Sequence, residues 1–114
     1  MKTFSLTAAA ALMASTAAIA QVETRTVTFE NAGATLSGTL YLPEGHDGGA
    51  LPTVVVTGAW TSVEEQMPRV YAEQMVERGF AAFTFDFRGW GKSGDLPQNV
   101  RFVESPEAKA DDIR

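Results

Sequence analysis

The chain has 114 residues, 14 acidic and 9 basic side chains, a net charge of −5 and no cysteine. That size holds one small domain. The acidic balance excludes a broad basic nucleic-acid surface, and the lack of cysteine excludes disulfide staples and a thiol nucleophile.

Met1–Ala20 reads as a secretory signal peptide. Lys2 supplies a positive start, Phe4 to about Ala14 is an alanine-rich apolar run, and Ala18-Ile19-Ala20 is a small-x-small cleavage site. The run is shorter than the roughly 20 apolar residues a membrane span needs. The expectation is a domain over residues 21–114, secreted or periplasmic, with no membrane contact after cleavage.

Val22–Glu30 places Val27 and Phe29 on one side and Thr26, Thr28 and Glu30 on the other, the period of a half-buried strand. Asn31-Ala32-Gly33 is a turn signal. Thr35–Leu42 resumes the alternation with Leu36, Gly38, Leu40 and Leu42 on one face, which predicts an antiparallel hairpin closed by Pro43. Glu44–Ala50 is a polar loop holding the only histidine, His46. With only Asp47 beside it, His46 lacks the orienting partner that a general base needs, so a solvated loop histidine is expected.

Thr53–Thr57 is apolar at its centre and suits a strand buried on both faces. Gly58-Ala59-Trp60-Thr61 is a loop, and Ser62-x-x-Glu65 has the pattern of a capping box. Pro68 fits the first turn of the main helix, with Met67, Val70, Tyr71 and Met75 as its expected core stripe and Gly79 as its terminator. Ala81–Phe85 is a second strand apolar on both faces. Strand, helix and strand with short links form a βαβ unit, whose strands are parallel. Ser105-Pro106-Glu107 opens another helix. The fold class is α/β: a hairpin leading into a partly parallel sheet.

Between the last strand and that helix lies Asp86-Phe87-Arg88-Gly89-Trp90-Gly91-Lys92-Ser93-Gly94. Gly91-Lys92-Ser93 looks like the end of a phosphate loop, but the position that requires glycine holds Asp86, whose carboxylate repels phosphate. Gly89-x-Gly91-x-x-Gly94 matches a dinucleotide fingerprint, with Asp111 or Asp112 near the distance of a ribose-binding acid. That chemistry needs a helix to begin within the motif, and Asp95-Leu96-Pro97 is a poor helix opening. Neither reading supports a nucleotide cofactor.

The same stretch resembles the D-x-R-G-x-G-x-S turn of the α/β-hydrolase superfamily. Val63-Glu64-Glu65-Gln66 followed by Tyr71-Ala72 is similar to the V-K-E-Q…Y-A pattern of bacterial hydrolases related to dienelactone hydrolase. The resemblance runs from Val22 to Arg114 with its elements in the family's order, and it implies the N-terminal portion of that fold. It implies a structural role for Asp86, Arg88, Gly89, Gly91 and Ser93, and backbone N–H donors to an oxyanion hole at Trp60 and then Ala59. Gly58 stands where the family usually has histidine.

The family's Ser–His–Asp/Glu triad has its serine in a G-x-S-x-G elbow, which this sequence lacks. No catalytic side chain and no metal ligand is therefore assigned to this chain. The triad is expected beyond Arg114, and the chain alone is expected to be inactive. The implied partner is a small-molecule ester, thioester or amide, with no cofactor and no nucleic acid. The alternative is a small secreted non-enzymatic module or a shortened gene product.

Overall fold

A computed structural model describes residues 21–114, so the expected signal peptide lies outside the described residues. The chain runs β1 (Val22–Asn31), β2 (Ala34–Pro43), β3 (Thr53–Thr57), α1 (Met67–Glu77), β4 (Ala81–Phe85) and α2 (Pro106–Ile113). A three-residue 3-10 turn, Pro97–Asn99, precedes α2. The strands form one sheet in the order β1-β2-β4-β3. β1 and β4 flank β2 antiparallel, whereas β3 and β4 are parallel. The hairpin and the βαβ unit share one mixed sheet, as the period-two and period-3.6 patterns require.

The hairpin turns on Ala32 and Gly33, with φ of 45° and 78°. Two successive positive φ values define the turn whose twist matches that of paired strands. The register sets Phe29 opposite Leu36 and Val27 opposite Gly38, so the apolar sets of both strands share a face. Phe83 and Phe85 of β4 lie on that face too, through Leu40↔Phe83 and Gly38↔Phe85. Phe29 is 5.9 Å from Phe83 and 6.1 Å from Phe85 between ring centroids. Gly38 makes room for them: a Cβ there would lie 2.7 Å from Phe83 Cζ and collide with the Thr84 carbonyl.

The opposite face carries α1. Tyr41, Ala72, Val76 and Ala82 form its core. The buried helix positions are Pro68, Ala72 and Val76, a strict i, i+4, i+8 row. The stripe expected from hydrophobicity is displaced: Met67, Val70 and Tyr71 are exposed, Tyr71 at 52%, and only Met75 packs partly against the core. Small residues win this face because they let the helix lie close on the sheet beside Tyr41.

The helix starts one residue before Pro68 and ends as expected. Gly79, at φ 89°, donates to Val76 O, and Phe80 N–H donates to Met75 O, the paired bonds of a Schellman cap. The capping-box expectation at Ser62 fails. Ser62 Oγ donates to Ala59 O instead, and the helix begins after Gln66 with no side-chain cap.

β3 is an edge strand, paired only with β4 among the described residues. Val55 is 57% exposed, so burial on both faces, expected from its sequence, is not met within residues 21–114. β4 lies inside the sheet and is buried nearly throughout.

Candidate functional site

The glycine-rich turn is built around one carboxylate. Asp86, 1% exposed, directly follows β4. Its Oδ1 accepts Glu64 N–H at 2.8 Å and its Oδ2 accepts Lys92 N–H at 2.9 Å. Gly91 sits directly over that carboxylate: φ is 49°, and a Cβ there would overlap it. Glycine is required here twice, for conformation and for space.

Ser93 is buried and locks the turn to the hairpin. Its hydroxyl accepts Ser37 N–H at 2.9 Å and donates to the Asp86 carbonyl. Around it, Asp86 N–H donates to Ser37 O at 2.9 Å and Gly94 N–H to Thr35 O at 2.7 Å. Gly89 N–H donates to Gly94 O at 2.7 Å, closing the loop on itself. Arg101 grips the outside, donating to Gly91 O and Ser93 O at 2.9 and 3.0 Å.

These bonds decide against the phosphate readings of the motif. The N–H groups of Gly89, Trp90, Lys92, Ser93 and Gly94 all point to acceptors within the protein, so they form no cradle for an anion. Lys92 Nζ pairs with Glu65. Asp112, the candidate ribose acid, is buried against Arg88, with 2.8 Å to the Arg88 backbone N and 2.7 Å to Nε. Arg88 thereby ties the turn to α2, and it also donates to Ala32 O and Asn31 O of the hairpin.

Glu64 is a buried carboxyl that sequence reasoning passed over. Thr84 Oγ1 donates to its Oε2 at 2.7 Å. Burial, with the nearby Asp86 charge, pushes its pKa up, partly offset by the Thr84 bond. His46 sits in the β2–β3 loop, where its Nδ1 accepts Gly48 N–H at 3.2 Å. Asp47 Oδ1 is 4.0 Å from its Nε2, and nothing links the ring to the loop after β3. Among the described residues, no cluster of three or more histidine, cysteine or acidic side chains is placed to hold a metal ion.

The loop after β3 is the second feature at this end of the sheet. Gly58 is held tightly, since a Cβ there would come within 2.7 Å of Ser62 Oγ. Trp60 is 68% exposed. The Ala59 carbonyl accepts from Lys109 Nζ at 3.1 Å and from Ser62 Oγ at 3.2 Å. C=O and N–H of a trans peptide point opposite ways, so Trp60 N–H points away from those donors. Among the described residues neither Ala59 N–H nor Trp60 N–H has an acceptor. One residue on, Thr61 N–H donates to Glu104 Oε1. Glu104 and Lys109 lie at the start of α2, and no motif in the sequence marked them.

A family model described as esterase FrsA-like matches residues 5–100. The chain belongs to the FrsA-like esterase family. The uncharacterized protein PA2218 of Pseudomonas aeruginosa is 44% identical over 95 residues, covering 82% of this chain and 25% of that one. Its crystal structure superposes with a TM-score of 0.71 over 80% of this chain and 28% of that chain, at 43% identity. The hydrolase LUC6 of a Fusarium species is 43% identical over 63 residues, covering 54% of this chain and 15% of that one. DcsB, at 23% identity, shares the fold with a TM-score of 0.67, over 80% of this chain and 29% of that chain. This chain thus spans a quarter or less of the length of its two sequence relatives. The hairpin, βαβ unit and glycine-rich turn are the N-terminal part of an α/β-hydrolase fold.

Proposed function

We propose that residues 21–114 are the N-terminal part of a secreted or periplasmic serine hydrolase acting on ester, thioester or amide bonds. In this reading the loop after β3 supplies oxyanion donors, Trp60 N–H first and Ala59 N–H second. The nucleophile, acid and histidine are carried by chain following Arg114.

The observation that carries the reading is the Trp60 N–H after the C-terminal end of a parallel strand, without an acceptor among the described residues and turned away from Lys109 Nζ and Ser62 Oγ by their grip on Ala59 O. A preorganised donor of this kind stabilises the charge that develops on a carbonyl oxygen and is worth about 3 kcal/mol of barrier. It does so only beside a nucleophile. Ser93 cannot serve as one: its hydroxyl is buried, and both its hydrogen-bonding roles go to the backbone. Membership of an esterase family supports the reaction class. The apolar start of the sequence supports export.

Two measurements test the reading. The DNA after codon 114 is expected to encode a G-x-S-x-G elbow, in phase or after a frameshift; a stop codon with no such sequence nearby overturns the proposal in favour of a standalone module. The purified chain is expected to leave p-nitrophenyl esters intact and to resist labelling by a fluorophosphonate probe. Turnover that is abolished by a substitution within this chain would sink the assignment of the chemistry to later segments.

A further inference from the structure

Thr61 has a φ of 55°, an uncommon and strained backbone region for a β-branched residue. Such a conformation persists only when its surroundings over-determine it. The surroundings here are two side chains from the start of α2. Ser105 caps that helix, accepting Ala108 N–H at 3.2 Å. Glu104 is therefore the residue before the cap and Lys109 the fourth helical residue, the two positions that a hydrophobic staple brings together. In this chain an ion pair takes the staple's place, with Lys109 Nζ 2.7 Å from Glu104 Oε2. Glu104 Oε2 has no aligned hydrogen bond, so the two meet as a contact ion pair.

An exposed pair of this kind would stabilise little. This one is mostly buried, at 17% and 7% exposure, and each partner also binds main chain of the loop after β3. Glu104 Oε1 accepts Thr61 N–H, and Lys109 Nζ donates to Ala59 O. Lys109 Nζ also lies 4.8 Å from the Phe87 ring centroid and 5.9 Å from that of Trp60. The anion takes an N–H and the cation takes a C=O, one on each side of Trp60. Their positions fix the two peptide planes that flank Trp60.

We propose that Glu104 and Lys109 are positioning residues that clamp the Gly58–Ser62 loop and set the direction of Trp60 N–H. The catalytic consequence rests on the oxyanion reading above; the clamp itself does not. In an active hydrolase containing this segment, loosening the clamp misdirects a donor that acts in the transition state, so kcat falls while KM holds.

The test is amide hydrogen exchange of the whole chain by NMR, with Leu36 and Val76 amides as internal controls for global opening. The Thr61 amide is expected to exchange at least about tenfold more slowly than the Trp60 amide, the size of a charge-assisted bond. E104A is expected to abolish that protection, with the controls unchanged. The charge-swapped E104K/K109E chain separates a clamp from a simple ion pair. It restores opposite charges, but lysine at 104 cannot accept from Thr61 N–H, so protection stays lost. Restored protection in the swap overturns the clamp. So does a wild-type Thr61 amide exchanging as fast as that of Trp60, whether the loop or the entire chain is unordered.

A second arm uses a polypeptide that joins this segment to a G-x-S-x-G elbow together with its catalytic acid and histidine. K109M is expected to lower kcat about tenfold with KM within about twofold, and an unchanged kcat overturns the positioning role. If the unsubstituted polypeptide has no esterase activity, the oxyanion reading falls, and the exchange data decide the clamp by themselves.

Discussion

Gly91→Ala gives the sharpest test of how the glycine-rich turn is built. Alanine at φ 49° adds about 1–2 kcal/mol of left-handed strain. Its Cβ also falls on the Asp86 carboxylate. A flexible side chain would swing aside cheaply, but this one is held by Glu64 N–H and Lys92 N–H. Displacing it loses at least one charge-assisted bond, worth about 1.5–3 kcal/mol. The expected total is about 2.5–5 kcal/mol, a large share of the roughly 5–15 kcal/mol that stabilises a whole domain. Gly45→Ala is the control: φ is 73°, and nothing lies within 4 Å of the added Cβ, so only the strain remains. Urea unfolding followed by circular dichroism compares the two. With a slope of about 1–3 kcal/mol/M, that lost bond should put the Gly91→Ala midpoint about 0.5–3 M below that of Gly45→Ala. Equal midpoints would refute the idea that Asp86 fills the space under Gly91.

Three further outcomes follow from the same contacts. Because burial raises the Glu64 pKa above its ordinary 4.5, the folded chain holds that proton more tightly than the unfolded one. Stability should then fall as pH rises from about 4.5 through the folded pKa, and Glu64→Gln should flatten that slope and raise the neutral-pH melting temperature. Asp112→Ala leaves Arg88 unpaired in a largely buried site and should cost about 3–5 kcal/mol, read as a melting temperature lower by about 12 °C or more. On α1, Tyr71→Ser should change stability by less than about 0.5 kcal/mol, whereas Ala72→Leu should overpack the sheet face and cost about 1–3 kcal/mol; the reverse order would restore the core stripe expected from hydrophobicity.

Local patterns carried much of the fold. Alternation in β1 and β2, the Asn31–Gly33 turn, Pro68, Gly79 and Ser105-Pro106 each set a local backbone choice that needs no distant partner, and the structure places an element boundary at or within a residue of nearly all of them. Asp86 at a glycine position and flanking residues that could not open a helix counted against a nucleotide loop, whereas the structural role of Asp86, Arg88, Gly89, Gly91 and Ser93 was implied only by resemblance to the α/β-hydrolase turn.

Long-range geometry decided the rest. Hydrophobicity pointed to Met67, Val70 and Tyr71 as the buried face of α1, but helix-to-sheet distance selects for size, and Ala72 and Val76 fit against Tyr41. The loop after β3 was legible as a place, not as a direction. Trp60 N–H is aimed by Lys109, 50 residues beyond Ala59, and Thr61 is held by Glu104, 43 residues beyond it. No local pattern encodes such pairings, since they exist only once the start of α2 meets the loop after β3. The sequence by itself determined which segments become strands, helices and turns. Tertiary structure decided which faces meet, which carboxylates are buried, and where the Trp60 N–H points.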